Sequence, residues 1–341
     1  MAHRLGLALW AALAAGLYAG ASAATPLSVV SYNVAGLPAP LSSSTPAVNT
    51  PLISPLLDAY DLVGVQEDFF YHDRLVASLT FPYQSVKDDS ANEYGEQLGF
   101  AFGDGLNSFS RTPFTDFTRI TWDECFGTVT NGSDCLTPKG LSFQRHEYAP
   151  GVFLDVYNWH ADASSGPEDL AARRSNTRQL AQEILDRSAG NAVIVLGDTN
   201  SRWTRAGDAL PELAATGLTD AWIELIRGGD VPEVGAALTD CAAEVSRDCE
   251  RVDKIFYRSS DVLVLEALAY DVPAALFSDA SGVPLSDHDP VLVRFDLRVV
   301  PEPGTVLLLG VGCAALARAG RARHCRSGFR QRRASRSSQR A

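Results

Sequence analysis

The sequence predicts an α/β fold whose strands carry reactive polar side chains at their carboxyl ends. Residues 193–196 are four apolar, mostly β-branched residues that read as a buried strand of parallel type, and they run into Gly197, Asp198, Thr199 and Asn200, which cannot continue it. Residues two apart at a strand end point the same way, so a carboxylate (Asp198) and a carboxamide (Asn200) converge on one spot. The pattern recurs: residues 27–34 bring Asn33 to a strand end, residues 61–68 bring Glu67, and residues 152–159 run into His160. A turn-capping Asp followed by an Asx-turn Asn explains one such end. Recurrence favours a site, because ligands of open α/β sheets bind at the carboxyl edge of the strands.

The elements follow in order. The first strand ends at Gly36-Leu37-Pro38, and a loop rich in Ser, Thr and Pro leads to a helix carrying Leu52, Ile53, Leu56 and Leu57. After the Glu67 strand come a short helix over residues 71–79, a strand over 97–102 and a long Gly-rich, aromatic loop over 103–117. Two strands, 141–148 and 152–159, are joined at Pro150-Gly151 as a hairpin. Pro167 opens a helix with Glu168 and Asp169 in its first turn and a buried stripe of Leu170, Thr177, Leu180, Ile184 and Leu185. Short helices near 208–214 and 219–227 precede strands over 252–257 and 262–270. Ser286-Asp287-His288-Asp289-Pro290 leads into the closing strand, 291–297. No internal repeat is visible.

With 341 residues, 46% of them hydrophobic, the chain can bury a sizeable core. Its ends differ from its middle. Arg4, an apolar run over 5–17 and Ala21-Ser22-Ala23 follow the order of a secretory signal peptide, expected to span residues 1–24. A catalytic domain is expected over 25–300. Beyond it, Pro301-Glu302-Pro303-Gly304 precedes an apolar run over 305–317 and an Arg-rich end. As a helix that run rises only about 20 Å, short of the ~30 Å hydrocarbon core, and makes a poor permanent span. Setting aside Arg4 and the nine Arg and one Glu of residues 301–341, 19 basic and 40 acidic side chains remain, a net charge of −21. So acidic a domain repels phosphate backbones in general, although a nuclease whose metal supplies positive charge is compatible with it.

Of the six cysteines, Cys125, Cys135, Cys241 and Cys249 fall in the middle. Export to an oxidising compartment makes them disulfide partners, and of the three pairings four cysteines allow, the local one, Cys125 with Cys135 and Cys241 with Cys249, is preferred. Neither pair has the spacing or the His set of a zinc site.

Collected, the strand ends and adjoining loops present Asn33, Glu67, His160, Asp198, Asn200, Asp253, Asp287 and His288. Carboxylates and amides without cysteine make a hard-oxygen set that suits Mg2+ or Mn2+. Beside two histidines, such an ion fits phosphoester hydrolysis, the metal neutralising phosphoryl oxygens while a base activates water.

Ser31-Tyr32-Asn33, Gln66-Glu67, Trp159-His160-Ala161-Asp162-Ala163, Gly197-Asp198-Thr199-Asn200, Val252-Asp253-Lys254-Ile255 and Ser286-Asp287-His288-Asp289-Pro290 resemble, in order, the motifs of the endonuclease/exonuclease/phosphatase superfamily. The resemblance implies the DNase I-like four-layered α/β sandwich, two packed mixed β-sheets flanked by helices. By match it implies Glu67 as principal metal ligand with Asn33 as helper and Asp287 at the metal site. His288 would be the general base held in tautomer by Asp253. Asp198 and Asn200 would position nucleophile and phosphate, and His160 would donate to a phosphoryl oxygen in the transition state. His72 and His146 are expected to be surface or packing residues.

Asp68-Phe69-Phe70 follows Glu67 where DNase-like members carry an Arg. Asp134-Cys135-Leu136-Thr137-Pro138-Lys139-Gly140 and residues 172–180 resemble instead the bacterial neutral sphingomyelinase branch. Lys139 reads either as a phosphate contact or as a surface residue starting a hairpin. Trp122, Phe109, Phe114 and Phe117 read as aromatics buried under a loop or as lipid contacts. The expected function is a secreted, monomeric Mg2+-dependent phosphodiesterase releasing a lipid headgroup; a secreted DNase I-like nuclease and a non-catalytic surface binding protein are the alternatives. The Val-Pro-Glu-Pro, apolar, Arg-rich order of residues 300–341 resembles the PEP-CTERM sorting signal of Gram-negative bacteria, which implies transient membrane association and processing at the cell envelope.

Overall fold

The computed structural model describes residues 23–300 except 39, 40, 43, 100, 129, 130, 240 and 242–244. Residues 1–22 of the expected signal peptide and the whole 301–341 tail lie outside the described residues. The strands are β1 (Thr25–Asn33), β2 (Leu62–Gln66), β3 (Tyr83–Gln84), β4 (Asn107–Ser110), β5 (Thr115–Thr121), β6 (Gly140–Ala149), β7 (Val152–His160), β8 (Ala192–Asp198), β9 (Thr219–Asp220), β10 (Asp253–Arg258), β11 (Leu263–Asp271) and β12 (Val291–Val299). The helices are α1 (Pro46–Leu57), α2 (His72–Val76), α3 (Glu93–Leu98), α4 (Pro167–Arg187), α5 (Leu210–Ala214) and α6 (Ala221–Leu225).

Two six-stranded sheets result, one in the order β11-β12-β1-β2-β4-β3 and the other β5-β6-β7-β8-β10-β9. Each has a parallel pair at its centre, β1 with β2 and β7 with β8, bordered by antiparallel neighbours. The registers end at Asn33 opposite Gln66 and at His160 opposite Asp198, so both parallel pairs finish on polar side chains.

The outer face of the first sheet packs Val30, Tyr32, Val63, Val65 and Phe109 against Ile53 and Leu57 of α1. That of the second packs Tyr157, Trp159, Val193 and Val195 against Leu180 and Ile184 of α4 and Leu213 of α5. Each such side chain contributes roughly 1.5–3 kcal/mol on burial. Where the inner faces meet, Gly64 lies close against the other sheet: a Cβ there would lie 2.1 Å from Leu196 Cδ1. The close approach lets Asn158 Nδ2 of β7 donate to Val65 O (2.9 Å) and Asn107 O (3.1 Å) of the opposite sheet, while its Oδ1 accepts from Gln66 Nε2 at 2.7 Å. A buried carboxamide so satisfied fixes how one sheet lies on the other.

Several expectations are corrected. Residues 97–102 are not a strand: Glu93–Leu98 is helical, because the Asn92 side chain caps Gly95 N and Gly99 ends the turn at φ 76. The stretch 103–117 is no continuous loop, since β4 and the start of β5 lie in it; Phe109 is fully buried on β4, and Trp122 is buried too. Leu185 is 52% exposed rather than part of the α4 stripe. His146 is a packing residue as expected, between Thr112 and Gln144, and burial pushes its imidazole down to about 4. Both expected disulfides are present, Cys125–Cys135 and Cys241–Cys249. Among the described residues no helix is long and apolar enough to cross a membrane.

Candidate active site

The edge where β1, β2, β7 and β8 end and β10 begins gathers the residues singled out in the sequence. Asn33 closes β1, and its Nδ2 donates to Glu67 Oε1 at 3.0 Å and to Asp198 Oδ2 at 3.2 Å, while its Oδ1 accepts from Ala35 N at 3.0 Å. One carboxamide thus joins a carboxylate from each sheet. Glu67 turns out of β2 in the left-handed region, φ 57, and its carbonyl accepts from both Gly36 N and Phe69 N at 2.9 Å. Gly36 is needed for that clamp, because a Cβ would stand 2.4 Å from Glu67 O. A non-glycine residue held at positive φ by its surroundings is the kind of backbone strain found at working sites.

Asp198 ends β8, and its Oδ1 accepts from Asn200 N at 3.0 Å. Asn200 sits at φ 47, and its Nδ2 donates to Ala161 O at 3.1 Å, tying the loop after β8 to the loop after β7. His160 Nε2 lies 3.4 Å from Asp198 Oδ2 and 3.9 Å from Glu67 Oε1. The carbonyl of His160 accepts from Trp122 Nε1 at 2.7 Å, which fixes the strand end from behind.

Opposite lies a His–Asp pair. Asp253 starts β10 opposite Asp198, and its Oδ2 pairs with His288 Nδ1 at 2.8 Å. His288 Nε2 is 3.7 Å from Asp198 Oδ2. Burial alone would lower the His288 imidazole, but two carboxylates, Asp253 and Asp198, face it and hold it well above its ordinary value. Burial likewise opposes ionisation of Asp198, yet His288, His160 and Lys139 together keep its carboxyl well below the ordinary range. The loop carrying His288 is anchored by Ser286, whose Oγ donates to Asn33 O at 2.7 Å. Asp287 is exposed on that loop, its carboxylate 3.5 Å from Ser286 Oγ.

Lys139 is the residue on which the sequence was undecided. It is not a surface residue: its ammonium is buried, pairs with Asp134 and lies 3.0 Å from His160 Nε2. Burial favours the neutral amine, but Asp134 and then Glu67 hold the ammonium above its ordinary value. His160 Nε2 is the ring atom that faces the Lys139 ammonium and the Asp198 carboxylate, and Nδ1 is buried without a hydrogen-bond partner among the described residues. Asp134 Oδ2 also accepts from Ala163 N at 3.0 Å, just beyond His160. The Cys125–Cys135 disulfide adjoins Asp134 in the chain. Polarity alone could not reveal the burial of Lys139, since a lone Lys before a strand is ordinarily solvated. Gln66 was visible within a motif, but not as the inter-sheet link it forms with Asn158.

The oxygen set fits a hard divalent cation. Glu67 Oε1 and Asp198 Oδ2 flank the same Asn33 nitrogen, two carboxylates facing one spot with no sulfur ligand. Asp198, Asp253 and His288 also offer ligand atoms within 4.8 Å of one another, and one buried oxygen of Asp253, Oδ1, has no hydrogen-bond partner among the described residues. Two carboxylates on the spot, with Lys139, His160 and His288 around them, suit a positive ion and a bound anion together.

No protein-family model matches the chain. It is 38% identical over 271 residues to a protein named sphingomyelinase from Mycobacterium bovis, an alignment covering 79% of this chain and 52% of the relative. The match to the Mycobacterium tuberculosis protein of the same name has the same figures, so the chain spans about half the length of the curated relatives it matches. Among solved structures, a variant of Staphylococcus aureus beta toxin with bound magnesium ions aligns with a TM-score of 0.55 at 17% identity, covering 79% of this chain and 99% of that one. An endonuclease/exonuclease/phosphatase from Bacteroides vulgatus aligns with a TM-score of 0.55 at 17% identity, over 80% and 99% of the two chains. The chain shares the fold of these proteins, the two-sheet α/β sandwich that its motifs implied.

Proposed function

We propose that the chain is a metal-dependent phosphodiester hydrolase, with a lipid headgroup of the sphingomyelin type as its substrate. The observation that carries the hydrolase reading is the convergence of Glu67 from one sheet with Asp198 and His160 from the other, across from the His288–Asp253 pair. The oxygen donors fit Mg2+ or Mn2+, and Glu67 would hold the ion, with Asn33 orienting its carboxylate through Nδ2 and Asp287 on the adjoining loop. Bound there, it would supply Lewis-acid neutralisation of the phosphoryl oxygens.

His288 is the general base: Asp253 fixes Nδ1 as the protonated nitrogen and leaves Nε2 to take a proton from water. Asp198 and Asn200 orient the water and the phosphate from the β8 end. Lys139 donates to a non-bridging phosphoryl oxygen, and His160, with its proton on Nε2, donates to another.

For the lipid, support comes from the 38% identity to a mycobacterial protein named sphingomyelinase, over half of that protein's length, and from the net charge of −21. A nuclease holds several phosphates on cationic side chains; here the cations at the site are buried among carboxylates, which suits one phosphate. Export through residues 1–24 and envelope sorting with transient membrane association through 301–341 belong to the same reading, supported by the two disulfides. The test is a parallel assay with Mg2+ on sphingomyelin vesicles and on plasmid DNA, with His288→Ala as control. Phosphocholine release that the control lacks is expected. Cleavage of DNA without phosphocholine release would replace the lipid by nucleic acid, and full activity in the control would remove His288 from the chemistry.

A further inference from the structure

We propose that Asp208, which touches none of the reacting groups, is the positioning residue that sets the His160 loop against the Asn200 loop; the proposal rests on the phosphodiesterase reading for what those loops do. Its carboxylate is buried and pairs with two guanidiniums, Arg173 Nε to Oδ1 at 3.0 Å and Arg205 Nε to Oδ2 at 2.7 Å, and Oδ2 also accepts from Arg202 N at 2.8 Å. Each guanidinium is clamped to a different loop. Arg173, fully buried on α4, donates through Nη1 to the carbonyls of Asp162 (2.8 Å), Ala163 (3.0 Å) and Ser164 (3.0 Å), the residues after His160. Arg205 donates through Nη2 to the carbonyl of Asn200, whose backbone is held at φ 47. The ring closes at the site, where Asn200 Nδ2 donates to Ala161 O.

Two positive groups lie side by side with one carboxylate between them, and each grips the loop that ends a strand of the parallel pair β7/β8. Taking away the negative charge leaves Arg173 buried beside Arg205 without its counter-ion, so the two move apart and carry their loops with them. A displacement of about 1 Å between transition-state donors costs on the order of 10²-fold in rate, whereas ground-state binding of one phosphate is less sensitive. The signature is therefore in kcat more than in KM.

The test uses the full chain with Mg2+ and bis-p-nitrophenyl phosphate as probe. Asp208→Asn, nearly isosteric, is expected to lower kcat by about tenfold or more with KM changed by less than about threefold. In an Asn200→Ala background the same substitution is expected to cost less than about threefold, because residues acting through one constellation are not additive. Arg205→Ala, which spares the buried Arg173–Asp208 pair, serves if Asp208→Asn does not fold, with a smaller loss of kcat in the same direction. Hydrogen exchange gives a readout independent of activity: amides of residues 161–164 and of 200–205 should lose protection together in either variant. Additive losses in the double variant, or faster exchange confined to 200–208 with 161–164 unchanged, would overturn the proposal. A wild-type chain that hydrolyses no phosphodiester would overturn the functional reading instead, and the exchange data would still decide this one.

Discussion

The two parallel strand pairs, β1/β2 and β7/β8, hold equivalent places in their sheets and deliver side chains to the same edge, yet different forces fix them there. At β1/β2 the hold is backbone: Glu67 is kept at φ 57 by two amides on its carbonyl, and Gly36 makes room for one of them. At β7/β8 the hold is charge: Lys139 with Asp134 stands behind His160, and Asp208 ties Arg173 to Arg205 beneath both loops. A backbone clamp is indifferent to pH and salt, whereas a buried ion pair fails when either partner is lost. One half of the site is therefore broken by a methyl group and the other by a change of charge.

The largest effect on stability is expected from breaking the charge side. Lys139→Met leaves Asp134 buried and unpaired and should cost about 3–5 kcal/mol in urea unfolding. Adding Asp134→Asn should restore most of the stability but not the hydrolysis, because the donor to the phosphoryl oxygen stays absent. On the backbone side, Gly36→Ala should cost about 1–3 kcal/mol and depress kcat, with no rescue by salt or pH. A Gly36→Ala protein of wild-type stability and rate would show that the Glu67 clamp bends freely.

Next in size is the dependence on pH. The His288 pKa is raised in the fold, so its stabilising contribution is fully present below the unfolded value of about 6.5 and is lost as pH rises through the raised value. That of Asp198 is depressed, so its contribution is present above about 3.8 and is lost as pH falls through the depressed value. Unfolding curves from pH 4 to pH 9 should show the wild type losing stability on the alkaline side relative to His288→Ala. Activity should run the other way, rising with pH as His288 gives up its proton. Smallest of all, Arg178→Ala, on the same helix as Arg173, removes an exposed pair with Glu212 of α5 and should leave the melting temperature and kcat unchanged.

Much of the site was legible because strand ends punctuate themselves: an apolar run that stops at Asp198, Glu67 or His160 announces both the strand and the residue it presents. The equivalence of the two parallel pairs was not legible, since it lies in register and topology rather than in repeated residues. The strand expected over 97–102 failed because one Asn cap and one left-handed Gly decide for helix there against the apolar pattern. Lys139 stayed undecided and Asp208 escaped for a common reason. Burial of a charge is set by what the rest of the fold places around it, and in sequence both look like solvated residues near a turn.

The two-sheet origin of the site is tested most directly by the Mg2+ dependence of bis-p-nitrophenyl phosphate hydrolysis in the wild type, Glu67→Gln and Asp198→Asn. The wild type should be active with Mg2+ and inactive in EDTA, and each single substitution, one per sheet, should abolish the Mg2+-dependent rate. Hydrolysis that survives EDTA, or a wild-type rate in either variant, would contradict a site built jointly by the two sheets.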